Sequence, residues 1–537
     1  MSNGVGPPNR LARGAILAAP LVFLGVFFVY PVLTIIGRGL WPGGDVDLSP
    51  LGDVIGDASL RGIVWFTVWQ AALSTLLTLA IGLPGAYALT RFRFRGSALV
   101  RALVVVPFVL PTVVVGSAFL ALGIGPSVGA ILIAHVFFNY AVVVRTVGGM
   151  WAHLDPRQED AARLLGASRM RAFRSVTLPA LRPAIAAAAA IVFLFTFTSF
   201  GVVLVLGGPT RSTLETEIYR QTAELLDLRT AAALSVIQLL AVIVLLVVTE
   251  RLQGRRTVAL ALRAAGETAR RARTAGERAF LGANLVVAAL LLGGPVAVLV
   301  VRSFETPSGV GLGHYRALGT IHASSVLFVP PEQAIWNSLS YAVAATAMAL
   351  LIGGLAAFAI VHRRRAGAVD AALTLPLGVS AVTVGFGFLI TLDAPPLDLR
   401  TSWILVPIAQ ALVAIPFVVR LTTPVLRSID PRLREAAALL GAPPRRVWRE
   451  IDLPIAARAL AVAGGFAFAI ALGEFGATVF LARPDRPTLP VVIYRLLGQP
   501  GSSSFGAAMA ASTILLVLAA ASVLFVDRAR VGDVGTF

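Results

Sequence analysis

The sequence predicts an all-α polytopic membrane protein of about twelve transmembrane helices, built as two homologous six-helix halves. Three observations carry that prediction. The 537-residue chain is 57% hydrophobic and 13% charged, with mean hydropathy +0.85. Its apolar residues fall into runs of roughly 20, the length that crosses a bilayer as a helix. One polar, arginine-rich stretch occurs twice, at 155–179 and 430–454, without a gap and 275 residues apart. A soluble domain of this size does not carry so little charge.

Formal net charge is +18, and the 45 basic residues are all arginine. They cluster between apolar runs rather than on a soluble domain, which argues against nucleic-acid binding. With no cysteine, disulfides, thiolate metal sites and iron–sulfur clusters are excluded.

Taken in order, the first half holds spans at about 14–37, 64–90, 99–123, 127–149, 183–206 and 230–249. The first is too long for a cleaved signal peptide and lacks a clear cleavage site. A basic cytoplasmic linker follows at 251–279, either a solvated connector or a helix on anionic lipid. The second half holds spans at about 280–302, 334–361, 367–392, 402–422, 455–481 and 505–526. Arginines crowd the loops on one side: Arg91, Arg93 and Arg95, the stretch from Arg157 to Arg182, and the linker. The opposite loops hold Asp45, Asp47, Asp53 and Asp57. By the positive-inside rule both islands and both termini are expected to be cytoplasmic. The domains expected are therefore a first repeat over 1–250, the linker, and a second repeat over 280–537.

The first island reads DPRQEDAARLLGASRMRAFRSVTLP and the second DPRLREAAALLGAPPRRVWREIDLP. Asp155-Pro156 and Asp430-Pro431 are good helix starts, an N-cap followed by proline at N1. Gly166 and Gly441 suit the helix stop. Ala161-Ala162 and Ala436-Ala437 permit close approach of another backbone, and the leucine pairs Leu164-Leu165 and Leu439-Leu440 give an apolar face. Each island is expected to be a short helix that docks into a partner. The repeat continues on both sides. Trp65, Ile81-Gly82 and Gly96 match Trp336, Ile352-Gly353 and Gly367. Pro107, Val115-Gly116 and Phe119-Leu120 match Pro376, Val384-Gly385 and Phe388-Leu389. Phe200-Gly201, Pro209, Thr213-Leu214 and Ile218-Tyr219 match Phe475-Gly476, Pro484, Thr488-Leu489 and Ile493-Tyr494.

The duplicated pattern, (D/E)AA, a glycine a turn later and a closing aliphatic-x-Leu-Pro, resembles the EAA loop of bacterial ABC importer permeases. Two copies in one chain resemble the fused permeases of the thiamine and ferric-iron uptake systems. ILIAHVFFN (131–139), FTSFGVVLVLGG (197–208), 213–221 and AALSVIQL (232–239) look like thiamine permeases. LGEFGATVFL (472–481) and TLPVVIYRLLG (488–498) look equally at home in the ferric-iron branch. The first loop departs from the motif by Asp160 in place of glutamate, which keeps the charge.

The resemblance implies a type I importer permease in the bacterial inner membrane. Its expected partners are a cytoplasmic ABC ATPase homodimer, an extracytoplasmic substrate-binding protein or lipoprotein, and membrane lipid. The coupling residues it implies are Asp160, Ala161, Ala162, Gly166, Leu178 and Pro179, and Glu435, Ala436, Ala437, Gly441, Leu453 and Pro454. Arg163, Arg169, Arg171, Arg445 and Arg446 are either partners for acidic ATPase residues or plain positive-inside arginines. The chain is expected to be a transport subunit and not an enzyme, with no cofactor of its own. A phosphate-binding Walker A loop needs a lysine and none is present, so ATP and Mg are expected on the partner ATPase.

For the substrate pathway, Glu474 is the carboxylate read inside an apolar span, beside Phe475. It is either a site for a cation, such as the thiamine thiazolium or ferric iron, or a structural hydrogen-bonding group. Ser199 and Phe200 occupy the equivalent place in the first half. His135 and Asn139, one helical turn apart, either line the pathway or bond to the next helix. Pro107, Pro111 and Pro376 with Gly116 and Gly385 point to broken helices, and Tyr219 and Tyr494 to short outer helices or an aromatic belt. No catalytic nucleophile–base pair and no metal-ligand cluster is read. The substrate alternatives are thiamine, then ferric iron, then an oxyanion such as sulfate or molybdate. An ion-coupled secondary transporter is the remaining class.

Overall fold

A computed structural model describes residues 10–41, 45, 47–254, 268–320, 327–361, 370, 372–373, 375–395 and 397–529. Part of the basic linker (255–267) and part of the span expected at 367–392 lie outside the described residues.

The first half runs α1 (Arg10–Leu24), α2 (Tyr30–Leu40), α3 (Ser49–Gly56), α4 (Ala58–Arg91), α5 (Ser97–Val109), α6 (Thr112–Ala121), α7 (Val128–His153), α8 (Pro156–Leu164), α9 (Arg169–Ala172), α10 (Leu178–Phe197), α11 (Gly201–Leu206), α12 (Leu214–Ala223) and α13 (Leu228–Gly254). The second runs α14 (Ala275–Ala288), α15 (Gly294–Phe304), a hairpin of β1 (Glu305–Thr306) and β2 (Gly309–Val310), α16 (Gly313–Ala317), α17 (Pro331–Val361), α18 (Ala381–Thr391), α19 (Leu405–Arg427), α20 (Pro431–Leu439), α21 (Pro444–Val447), α22 (Leu453–Gly473), α23 (Thr478–Leu481), α24 (Leu489–Leu497) and α25 (Ser502–Ala529). Among the described residues, 10 helices are long and apolar enough to cross a membrane. An eleventh span is broken: α5 and α6 meet at 104°, where Leu110-Pro111 interrupts the helix. Proline removes a backbone donor and disfavours helix in the residue before it. The short apolar α18 is the second-half counterpart of α6.

Among the described residues, four wide π-turns interrupt the helices, at Gly25–Val29, Phe173–Thr177, Ala289–Gly293 and Trp448–Asp452. Each is followed, two residues on, by a proline: Pro31, Pro179, Pro295 and Pro454. A proline ring clashes with the carbonyl four residues back. The extra residue of a π-turn moves that carbonyl aside, so the helix continues through the proline.

Packing divides the chain into two compact units. Among the described residues, unit 1 comprises 10–50, Ile218–Val236 and 312–529, and unit 2 comprises Leu51–Glu217 with Ile237–Gly311. In unit 1, α17 packs on α19 and α22, and α22 on α25. The first span joins this unit: α1 lies on α17 and α2 on α18. Ile35 is fully buried there, and Arg38 donates to the Ile390 carbonyl at 2.9 Å. In unit 2, α4 packs on α7 and α10, while α14 lies on α4 and α15 on α6. Each unit thus holds the opening span of one sequence half and most of the other half.

Candidate functional site

The two islands have the same architecture, and it follows from their sequences. The Asp155 side chain accepts from the Arg157 amide at 3.0 Å, and Asp430 from the Arg432 amide at 2.9 Å. Each aspartate so caps the helix that the following proline begins, α8 or α20. Both helices stop in a Schellman turn. Ala167 and Gly166 donate back to the Ala162 and Arg163 carbonyls, and Ala442 and Gly441 to those of Ala437 and Ala438. Gly166 has φ +90° and Gly441 φ +81°, the left-handed region that favours glycine.

Neither α8 nor α20 buries a single residue. Leu164, Leu165, Leu439 and Leu440 are 89 to 90% exposed. Two adjacent leucines almost fully in solvent, at the tip of a polar helix and twice over, are a surface built to be covered. Asp160, Ala161, Glu435 and Ala436 are exposed beside them, and Ala162 and Ala437 are half-buried. Arg163 pairs with Asp160 at 3.8 Å and Arg446 with Glu450 at 2.9 Å; Arg169 and Arg171 are exposed, and the Arg445 side chain lies outside the described residues. A cavity of about 360 Å³ lined by Ser168, Met170, Arg171, Arg174 and Ser175 adjoins the first tip.

Leu178-Pro179 and Leu453-Pro454 begin α10 and α22 directly after a π-turn. Each short helix is fastened to that π-turn by one side-chain pair at matching positions. In the first island the Thr177 hydroxyl donates to Glu159 at 2.9 Å. In the second, Arg434 donates to Asp452 at 2.8 Å. The sequence reading missed these ties. The covarying change, Glu/Thr in one copy and Arg/Asp in the other, was the available signal.

Of the expected pathway residues, Ser199, Phe200, Glu474 and Phe475 lie where apolar spans break, and His135 and Asn139 lie inside α7. α10 ends at Phe197, and Ser199 follows in the break before α11. The Ser199 hydroxyl bonds His135 Nε2 at 2.9 Å, and His135 Nδ1 bonds the Ser74 hydroxyl at 3.0 Å. Asn139 donates to the His135 carbonyl at 2.9 Å, and its Oδ1 has no hydrogen-bond partner. All four are buried and form one chain from α4 through α7 to the break. In the second half α22 ends at Gly473 and Glu474 occupies the break. Its carboxylate accepts from the Ala477 amide at 2.7 Å and the Thr478 amide at 3.1 Å, so it caps α23. Phe200 and Phe475 are buried beside these breaks, and Phe475 packs on Tyr494 with ring centroids 5.7 Å apart.

Gly116 and Gly385 let the broken elements close up. A Cβ at Gly116 would meet Val205 at 2.7 Å, and one at Gly385 would meet Ala477 at 2.7 Å. Pro107 lies inside the last turn of α5 with Pro111 just beyond that helix, and Pro376 lies in a single 3-10 turn, Leu375–Gly378. Tyr219 and Tyr494 sit on short helices as expected, but half-buried: Tyr219 packs edge-on against Phe480. In the loop before α24, a hydrogen bond from Arg483 holds the Asp485 carboxyl below its usual range. Two buried carboxylates were overlooked in the sequence: Glu215 and Glu217, both 0% exposed in the first turn of α12. Among the described residues no group of three acidic or histidine side chains could hold a metal ion.

The family model described as "Binding-protein-dependent transport system inner membrane component" matches the chain twice, over residues 78–256 and 349–530. The thiamine transport system permease protein ThiP of Brucella abortus (strain 2308) is 29% identical over 504 residues, 88% of each chain. The ThiP protein of Escherichia coli (strain K12) is 28% identical over 490 residues, 86% of this chain and 88% of that one. The sulfate transport system permease protein CysT of Salmonella typhimurium is 33% identical over 172 residues, 29% of this chain and 62% of its own.

Proposed function

Because the chain belongs to the family of binding-protein-dependent transport system inner membrane components, we propose that it is the fused permease of an ATP-driven importer for thiamine. It is a multi-pass inner-membrane transport subunit. The ATPase activity belongs to a separate cytoplasmic homodimer that binds ATP and Mg, and an extracytoplasmic binding protein or lipoprotein delivers the solute. In this reading α8 and α20 are the two coupling helices, and both islands and both termini are cytoplasmic.

The observation that carries the proposal is the pair of capped, unburied helices with solvent-exposed leucine tips. Each tip inserts into one ATPase subunit. Closure of the ATPase pair on ATP draws the two tips together, and the permease rocks to face outward. The solute passes the broken spans, along Ser199, Phe200, His135 and Asn139 in the first half and Glu474 and Phe475 in the second. Thiamine is favoured over sulfate because the ThiP likeness spans 88% of this chain, whereas the CysT likeness spans 29%.

The test is reconstitution of the chain with its ATPase and binding protein in proteoliposomes, with labelled thiamine, sulfate and ferric iron offered in turn. Thiamine uptake that requires ATP is expected. Uptake without ATP overturns the importer reading, and ATP-driven uptake of sulfate or iron in place of thiamine overturns the substrate. Gly441→Asp is expected to abolish uptake while the chain stays folded in the membrane, since aspartate tolerates the left-handed turn and places a charge at the docking surface.

A further inference from the structure

The short helices α12 and α24 occupy matching places, and their inner ends lie deep within the spans. The Leu214 amide is held by the Thr67 hydroxyl at 3.0 Å, and the Leu489 amide by the Ser338 hydroxyl at 2.7 Å. Thr67 is nine residues into α4 and Gln238 ten residues into α13. At 1.5 Å per residue both lie roughly 15 Å from their helix ends. A helix N-terminus at that depth carries a partial positive charge.

The halves then diverge. α24 continues with Pro490 and Val492, whereas α12 continues with Glu215 and Glu217. The same backbone geometry forms without an acid in the second half, so the fold itself does not require Glu215. A carboxylate at membrane depth is costly and points to function. Glu215 Oε1 accepts from Gln238 Nε2 at 2.6 Å, and Gln238 is 2% exposed. The other atom of that amide, Gln238 Oε1, is buried with no hydrogen-bond partner. The site thus joins a carboxylate to a vacant acceptor that only a donor can satisfy.

We propose that Glu215 and Gln238 form a recognition station for an organic cation bearing an amino donor, with the carboxylate facing the positive charge and Gln238 Oε1 accepting an N–H. This rests on the thiamine reading, since thiamine combines a thiazolium with an aminopyrimidine. It places charge selectivity in the first half of the chain.

The experiment uses the complete importer in proteoliposomes, with labelled thiamine as substrate and the uncharged analogue thiochrome as competitor. Glu215→Gln is expected to raise KM for thiamine at least about tenfold and to reduce the preference for thiamine over thiochrome, which lacks both the charge and the amino donor. Glu215→Asp keeps the charge and is expected to stay within about threefold of wild type, with Gln238→Leu intermediate. A purely structural lock would lower the yield or thermal stability of Glu215→Gln and leave that preference intact, which overturns the proposal. If Glu215→Gln does not fold, Gln238→Leu decides: a raised KM with reduced preference supports the station, and an unchanged KM overturns it. If the wild type carries agmatine, an organic cation with amino donors, in place of thiamine and Glu215→Gln abolishes that uptake, the station stands and the thiamine assignment fails. Wild-type uptake of sulfate alone overturns both.

Discussion

The two islands share their caps, their glycine turns and their exposed leucines, yet they are fastened differently. Glu159 and Thr177 tie the first with a hydrogen bond to a half-exposed carboxylate. Arg434 and Asp452 tie the second with an ion pair whose side chains are 29% and 11% exposed. The difference separates what the islands must do from how each does it. Contact at the tip is held constant; the anchor to the π-turn is free to vary provided it persists.

The comparison breaks most severely if the tips are not equivalent. Leu164→Asp with Leu165→Asp, and separately Leu439→Asp with Leu440→Asp, are each expected to abolish ATP-driven uptake and ATPase co-purification. Neither pair is packed in the protein, so membrane insertion should be unchanged by fluorescence size-exclusion. Full uptake with one pair disabled would mean that the two islands have different tasks.

The anchors are predicted to differ in strength. Arg434→Ala strands the mostly buried Asp452 and is expected to cost about 2 kcal/mol of stability. Thr177→Ala leaves Glu159 in reach of water and is expected to cost about 0.5–1 kcal/mol. Thermal unfolding of the purified chain reads both. Raising the salt should narrow the gap, because only the second anchor is an ion pair. Equal losses in the two variants would show that the charge adds nothing.

The broken spans offer a parallel contrast, Ser199 against Glu474. Glu474→Gln is expected to raise KM for thiamine about fivefold, and Ser199→Ala about twofold. A Glu474→Gln variant with unchanged KM and lowered thermal stability would confine Glu474 to capping α23. The smallest effect is expected from exchanging the anchors outright. Arg434→Glu with Asp452→Thr copies the first anchor into the second island and should leave uptake within about twofold of wild type. A larger drop would show that the ion pair is specific to its surroundings.

The helical architecture and both islands were legible because helix length, caps and glycine stops are local signals. Asp155-Pro156 with Gly166, and Asp430-Pro431 with Gly441, mark the short helices to within a residue or two. The prolines were legible as breaks at Pro111, but Pro31, Pro179, Pro295 and Pro454 do not break their helices. They are carried by π-turns, and nothing in local sequence distinguishes the two outcomes. Glu474 was conspicuous because apolar residues surround it. Glu215 and Glu217 were not, because their neighbours Thr213, Thr216 and Arg220 make the stretch look like a wet loop. Their burial depends on the return of α12 to the depth of Gln238, which is a tertiary fact.

The placement of the opening span has a consequence for synthesis. Arg38 bonds a carbonyl 352 residues further along the chain, at Ile390. At a translation speed of 5–20 residues per second, that partner emerges roughly 20–70 s after the arginine. During that interval the first helix is in the bilayer without its docking surface, and lipid must solvate the face that α18 later covers. The opening span of the second half meets α4 and α6 already made. This helix is therefore made well before the surface on which it finds its place, and a chain interrupted after residue 250 would lack both the groove for α2 and the helices that complete unit 2.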